Sequence, residues 1–141
     1  MRRALTRFVS GARHYSELIV WQLADAIRVN VFALTGRPEF RQDFKLRSQT
    51  DDAIASVCRN IAEGFGGTDA EFRHYLIIAR MSLNEVSDSL RSARLKNYIR
   101  EDDVHPISAL SRRLHRALAG LIPEFTWVDQ TPCVGDPLVI S

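Results

Sequence analysis

Apolar residues return at the spacing of a single helix face in four successive stretches of this chain, and nothing reads as strand. Counted at about 100° per residue, Val20, Leu23, Ala24, Ile27, Val31 and Leu34 share one face of a first helix, about Ser16 to Thr35. Gly36 and Pro38 stop it. The linker Arg37 to Asp43 carries no period, and Phe44 is expected to plug the end of the assembly. A second helix, about Asp43 to Gly64, stacks Leu46, Ala53, Ile54, Val57, Ile61 and Phe65 inward. Gly64, Gly66 and Gly67 end it, as glycine tolerates the left-handed geometry of a C-terminal cap. The third, about Asp69 to Tyr98, opens on a capping box in which Thr68 caps and Glu71 reaches back. Its core stripe is Phe72, Leu76, Ala79, Leu83, Val86 and Leu90. The fourth, about Pro106 to Leu121, aligns Ile107, Leu110, Leu114, Leu118 and Leu121. Pro106 falls in its first turn, with Asp102 and Asp103 just before it. Each stripe needs partners, and short connections favour an all-α, antiparallel up-down-up-down four-helix bundle.

A chain of 141 residues makes one domain able to bury roughly two-thirds of its unfolded surface. The pattern divides it into a basic N-terminal arm (1–15), the four-helix bundle (16–125) and a C-terminal tail (126–141). The arm holds Arg2, Arg3, Arg7 and Arg13 with no acid, and has no continuous apolar core of the kind a secretory signal needs. It reads as a solvated terminus or as an arm touching RNA or anionic lipid. No apolar run approaches the roughly 18 residues of a membrane span, which excludes a membrane partner for the helices. Cys58 and Cys133 fit no metal spacing and make no disulfide framework, so a reduced cytoplasm is the simplest setting. The tail ends on Leu138, Val139 and Ile140, apolar enough to dock on the bundle or on a neighbouring subunit.

The third helix has more apolar surface than a monomer uses. Ile77, Met81 and Leu95 lie roughly 140–180° from Phe72, on its outer side. Trp21 and Phe32 sit off the first helix's core stripe. Scattered exposed apolar residues are ordinary. A second buried surface, and hence a homo-oligomer, is the preferred reading.

Three constellations bear on chemistry. Glu71 and His74 have the Glu-x-x-His spacing of di-metal carboxylate bundles, but they point away from the core and lack the second motif and the two extra glutamates. No metal or cofactor is expected. Gln49, Asp52, Ser56, Asn60 and Glu63 form a narrow polar stripe on the second helix, with Gly64 at its end. No histidine or thiol pairs with this stripe. It reads as structural, with Asn60 and Glu63 bonded to neighbouring helices, and a ligand or subunit contact stays open. The third is basic: Arg91, Arg94, Lys96, Arg100, Arg112, Arg113 and Arg116, opposed only by Glu101, Asp102 and Asp103. Such charges either solvate a face and favour helix dipoles or offer phosphate contacts. The overall net charge of +2 does not decide between these.

The run Asn60-Ile61-Ala62-Glu63-Gly64 has Leu46, Gln49, Ala53, Ser56 and Val57 upstream. Glu71-Phe72, Ile78-Ala79-Arg80 and Ser82-Leu83-Asn84-Glu85 follow. With Val20-Trp21-Gln22, Ala24, Phe32 and Leu34-Thr35, this resembles the family of small four-helix-bundle proteins found as reading frames within intervening sequences of bacterial 23S ribosomal RNA. The accessory protein of diversity-generating retroelements has a related bundle. The resemblance spans about Leu18 to Leu121. It implies a ring of five subunits around a channel, and no enzymatic chemistry. Relatives often carry a basic pair where this chain has Asp51-Asp52, and a basic residue where it has Gly67. Any RNA contact those positions make in relatives is lost or moved here. The expected function is a non-enzymatic homo-oligomeric adaptor binding RNA, or an RNA-handling protein such as a reverse transcriptase, through the basic surface. The alternative is a structural or protein-interaction scaffold with no nucleic-acid role.

Overall fold

The computed structural model of the chain describes residues 11–122. The basic arm therefore lies largely, and the C-terminal tail with Cys133 wholly, outside the described residues. A single 3-10 turn, Tyr15–Glu17, leads into α1 (Ile19–Thr35). Then come the short α2 (Pro38–Gln42), α3 (Phe44–Gly64), α4 (Asp69–Leu95) and α5 (Glu101–Leu121). No strand occurs among the described residues. The four long helices form the antiparallel up-down-up-down bundle. α3 packs on α1 and most extensively on α4, while α5 packs mainly on α1 and touches α4 more sparingly.

The counted stripes are the core. Every residue assigned to the four faces is buried except Phe65 and Leu110, which are half-buried. Periodicity succeeds here because a long amphipathic helix has one way to hide its apolar side.

The α1–α3 connection departs from expectation. Arg37 to Asp43 is not irregular: Pro38 starts a helical turn and a half, with proline's fixed φ suited to a first position. That turn delivers Phe40, 0% exposed, into the end of the bundle, while Phe44 is 70% exposed and lies under the Arg47 guanidinium. Phe40 is the plug. Its ring sits 5.9 Å from that of Tyr98, and its burial contributes about 1.5–3 kcal/mol.

Helix ends differ as well. Asp43 caps α3 through its carboxylate, which accepts from the Leu46 amide. None of Gly64, Gly66 and Gly67 takes a positive φ, so the expected left-handed glycine cap is absent. Gly64 matters for closeness: a β-carbon there would lie 2.7 Å from Tyr75 Cβ. At α4, Thr68 Oγ accepts from the Glu71 amide at 3.2 Å. Glu71 does not return the bond, and its carboxylate lies over Gly67. α4 ends at Leu95 because Asn97 turns left-handed, φ +62°. Asn97 N then donates to Arg94 O and Tyr98 N to Ala93 O, a Schellman pair that closes the last turn. α5 begins at Glu101, five residues before Pro106, so Glu101, Asp102 and Asp103 form its first turn. Their charge suits the helix N-terminus. Pro106 is tolerated inside because the Asp102 carbonyl it cannot serve lies on an exposed residue.

Candidate nucleic-acid interface

Two ties fix the bundle end at which α4 turns into α5. Asp43 accepts from Lys96 Nζ at 2.8 Å and from the Tyr98 hydroxyl at 3.0 Å, joining the start of α3 to the turn. Arg37 donates to both carboxylate oxygens of Asp103, at 2.7 and 3.1 Å, joining the end of α1 to α5. The Lys96 ammonium beside Asp43 holds that carboxyl below its usual range, helped by the Leu46 amide and Tyr98. Arg37, with the Arg100 amide, does the same for Asp103.

At this turn, residues between Arg91 and Glu101 line a half-open hollow of about 310 Å³. Arg91 and Arg94 reach it from the last turns of α4, and Arg100 from the residue before α5. Leu95, Asn97, Ile99 and Glu101 complete its wall. Arg94 lies 3.8 Å from Glu101, both well exposed. Arg91 and Arg100 have no ion-pair partner within 4 Å among the described residues.

The seven basic residues therefore divide. Arg91, Arg94 and Arg100 meet at the hollow. Lys96 leaves it for Asp43, its ammonium held above the usual range by that carboxylate. Arg112, Arg113 and Arg116 are exposed on α5, roughly 16–23 Å along its axis from Glu101. The early start of α5 carries them away from the turn. Asn97 and Leu95 are not recognisable as companions of the arginines by charge alone, whereas Glu101 is one of the acids set against them. The usable signal was the asparagine just past a basic last turn, a common left-handed stop.

The polar stripe of α3 is also sorted. Asn60 is buried and donates to Ser56 O and Oγ at 2.8 and 3.0 Å, within its own helix. Ser56 Oγ shares a 2.9 Å hydrogen bond with Ser82 Oγ, which makes the crossing to α4. Gln49, Asp52 and Glu63 are exposed, so Glu63 does not serve the buried role expected of it. Asp51 instead is half-buried and accepts from Thr35 Oγ at 2.7 Å. Burial pushes its carboxyl up.

Among the outer apolar residues, Met81 (60%) and Leu95 (71%) are exposed, and Phe32 is nearly half so (45%). Ile77, expected on the outer side of α4, and Trp21, expected on a flank of α1, are half-buried, each packing in part against the core. Trp21 packs against Tyr15 with the rings tilted 60° and their centroids 5.2 Å apart, and carries the Arg28 guanidinium at 5.9 Å.

Glu71 and His74 are exposed, and no three His, Cys, Asp or Glu residues group as metal ligands among the described residues. Burial pushes the Cys58 thiol up to about 11, which leaves it protonated at neutral pH. No helix of the described residues is long and apolar enough to cross a membrane. The sequence model of the family described as 23S rRNA-intervening sequence protein matches residues 16–120. No curated protein matches the chain.

Proposed function

The chain belongs to the 23S rRNA-intervening sequence protein family, and from that premise we propose that it is a non-enzymatic, homo-oligomeric adaptor. It binds RNA, or an RNA-handling protein such as a reverse transcriptase, through its arginine surface. The family is not a known enzyme family. The observation that carries the reading is the division of the basic residues: Arg112, Arg113 and Arg116 stand exposed along one helix, and three more arginines gather at the turn before it. Five copies in a ring, the number the resemblance implies, multiply each contact, and the gain comes from released counterions.

Filter binding of a structured RNA at several salt concentrations tests it. The wild-type affinity falls steeply with salt, and the Arg112→Ala, Arg113→Ala, Arg116→Ala triple variant shows a shallower slope, by about 0.9 per lost phosphate contact. Affinity that is absent at low salt, or flat across salt, overturns the reading. The exposed Phe44, Met81 and Leu95 favour the second reading, a scaffold that gathers proteins. A protein partner that stays bound after nuclease treatment, with no RNA affinity, selects it.

A further inference from the structure

We propose that the hollow at the α4–α5 turn is a site for one nucleotide carrying a terminal phosphate monoester. Arg91, Arg94 and Arg100 take the phosphate, and Leu95, Asn97 and Glu101 flank the nucleoside. The choice of a nucleotide over other phosphate esters rests on the nucleic-acid reading of this surface.

Three arginines line one hollow, against a single acidic residue in its wall. Their planar forks match phosphate oxygens, and a dianion offsets the repulsion among them better than the single charge of a diester. Two of the three have no ion pair to surrender, and the third has only the exposed 3.8 Å approach to Glu101, a weak contact. Lys96, the other cation of the turn, is held by Asp43. The volume is at the lower end of small-molecule pockets, which run from roughly 300 to 1,000 Å³. A bare phosphate would leave much of it empty. The exposed Leu95 offers the sugar or base an apolar face, Glu101 an acceptor for hydroxyl or amino groups, and Asn97 an amide with both roles. The wall is braced in advance by the left-handed Asn97, by Ile99, which is buried, and by the Asp43 and Asp103 ties. Such preorganisation lowers the ordering cost of binding.

The same chemistry is offered by a free mononucleotide and by the 5′-phosphorylated end of an RNA. Calorimetric titration of the full chain at low salt, with inorganic phosphate, adenosine 5′-monophosphate, and a short oligoribonucleotide with and without its 5′-phosphate, separates them. The nucleotide binds about tenfold or more tightly than inorganic phosphate. The R91A/R100A variant loses about tenfold or more in affinity with an unchanged melting temperature. The triple variant of α5 binds the nucleotide as wild type does. If R91A/R100A melts early, R91K/R100K, which keeps the charge and removes the fork, takes its place. A preference for the 5′-phosphorylated oligomer assigns the site to RNA ends, and its absence assigns it to free nucleotide. Nucleotide binding no tighter than phosphate, or unaffected by R91A/R100A, overturns the proposal. RNA binding without nucleotide binding overturns the hollow and leaves the adaptor standing. The reverse result overturns the adaptor and leaves the hollow.

Discussion

Gly64 acts through the side chain it lacks. An added β-carbon would meet Tyr75 Cβ at 2.7 Å and Phe72 Cδ1 at 3.0 Å. Tyr75 Cβ is the stiff base of a residue on the facing helix, so α3 and α4 would have to part. Alanine's better helix propensity, up to about 1 kcal/mol in an interior, counts for less at the final residue of α3. Overpacking costs about 1–3 kcal/mol and wins. Gly64→Ala is expected to lower the melting temperature by about 3–10 °C. Gly66→Ala, where nothing lies within 4 Å, leaves it within about 1 °C. Thermal melts followed by circular dichroism decide, and a Gly64→Ala protein as stable as wild type would show that the helices do not meet this closely. The sequence groups Ser56 and Asn60 with Gln49, Asp52 and Glu63 on one polar side of α3 and gives Gly64 the end of that helix. Their division of labour needed the position of α4: Ser56 crosses to Ser82, Asn60 braces Ser56, and Gly64 admits Tyr75.

Helices that repeat their apolar face over several turns announce themselves, whereas α2 is too short to show a period. The sequence accordingly points to Phe44 as the bundle plug, where the fold uses Phe40. Proline gave a start signal at Pro106, but the acidic first turn at Glu101 and the Arg37–Asp103 tie place the start earlier. That tie links residues far apart in the chain, which no local pattern contains. The Asp43 tie has a consequence in acid. Its carboxyl is held low in the fold by Lys96, the Leu46 amide and Tyr98, so the stability it contributes is complete above the unfolded value, about 3.9. That stability drains away as pH falls through the lower folded value. Asp51 runs the other way: burial raises it, so its contribution is complete below about 3.9 and is lost as pH rises through the folded value. Asp43→Ala is expected to melt earlier at pH 7 and to lose less on acidification below about pH 4. Asp51→Asn, which keeps an acceptor for Thr35, is expected to melt slightly later at pH 7. Melting curves from pH 2 to 7 check both signs, and parallel curves for Asp43→Ala and wild type would remove Asp43 from the acid response.

Assembly is the scale at which the apolar surface has to be accounted for. The core covers part of it, because Ile77 and Trp21 pack in part against buried residues. Met81 and Leu95 on α4, Val29 and Phe32 on α1, and Phe44 at the start of α3 remain exposed. The sequence could say which residues leave the core stripe; how far each leans depends on where the neighbouring helix stands. Met81 is the best anchor to test, since it is 60% exposed and, unlike Leu95, takes no part in the wall of the hollow. Truncating an anchor of this type costs about 1–2 kcal/mol or more at a protein interface, and a lysine adds the cost of a buried charge. Met81→Lys is therefore expected to reduce the assembly to monomers at micromolar concentration while helix content and melting of the isolated bundle persist. In a closed ring the same interface recurs at every junction, so the loss should be nearly complete rather than graded. Light scattering with circular dichroism on the same samples is the measurement. A wild-type chain that is already monomeric overturns self-association. A Met81→Lys variant that keeps the wild-type mass moves the interface to Val29, Phe32 and Phe44, where the next substitutions belong.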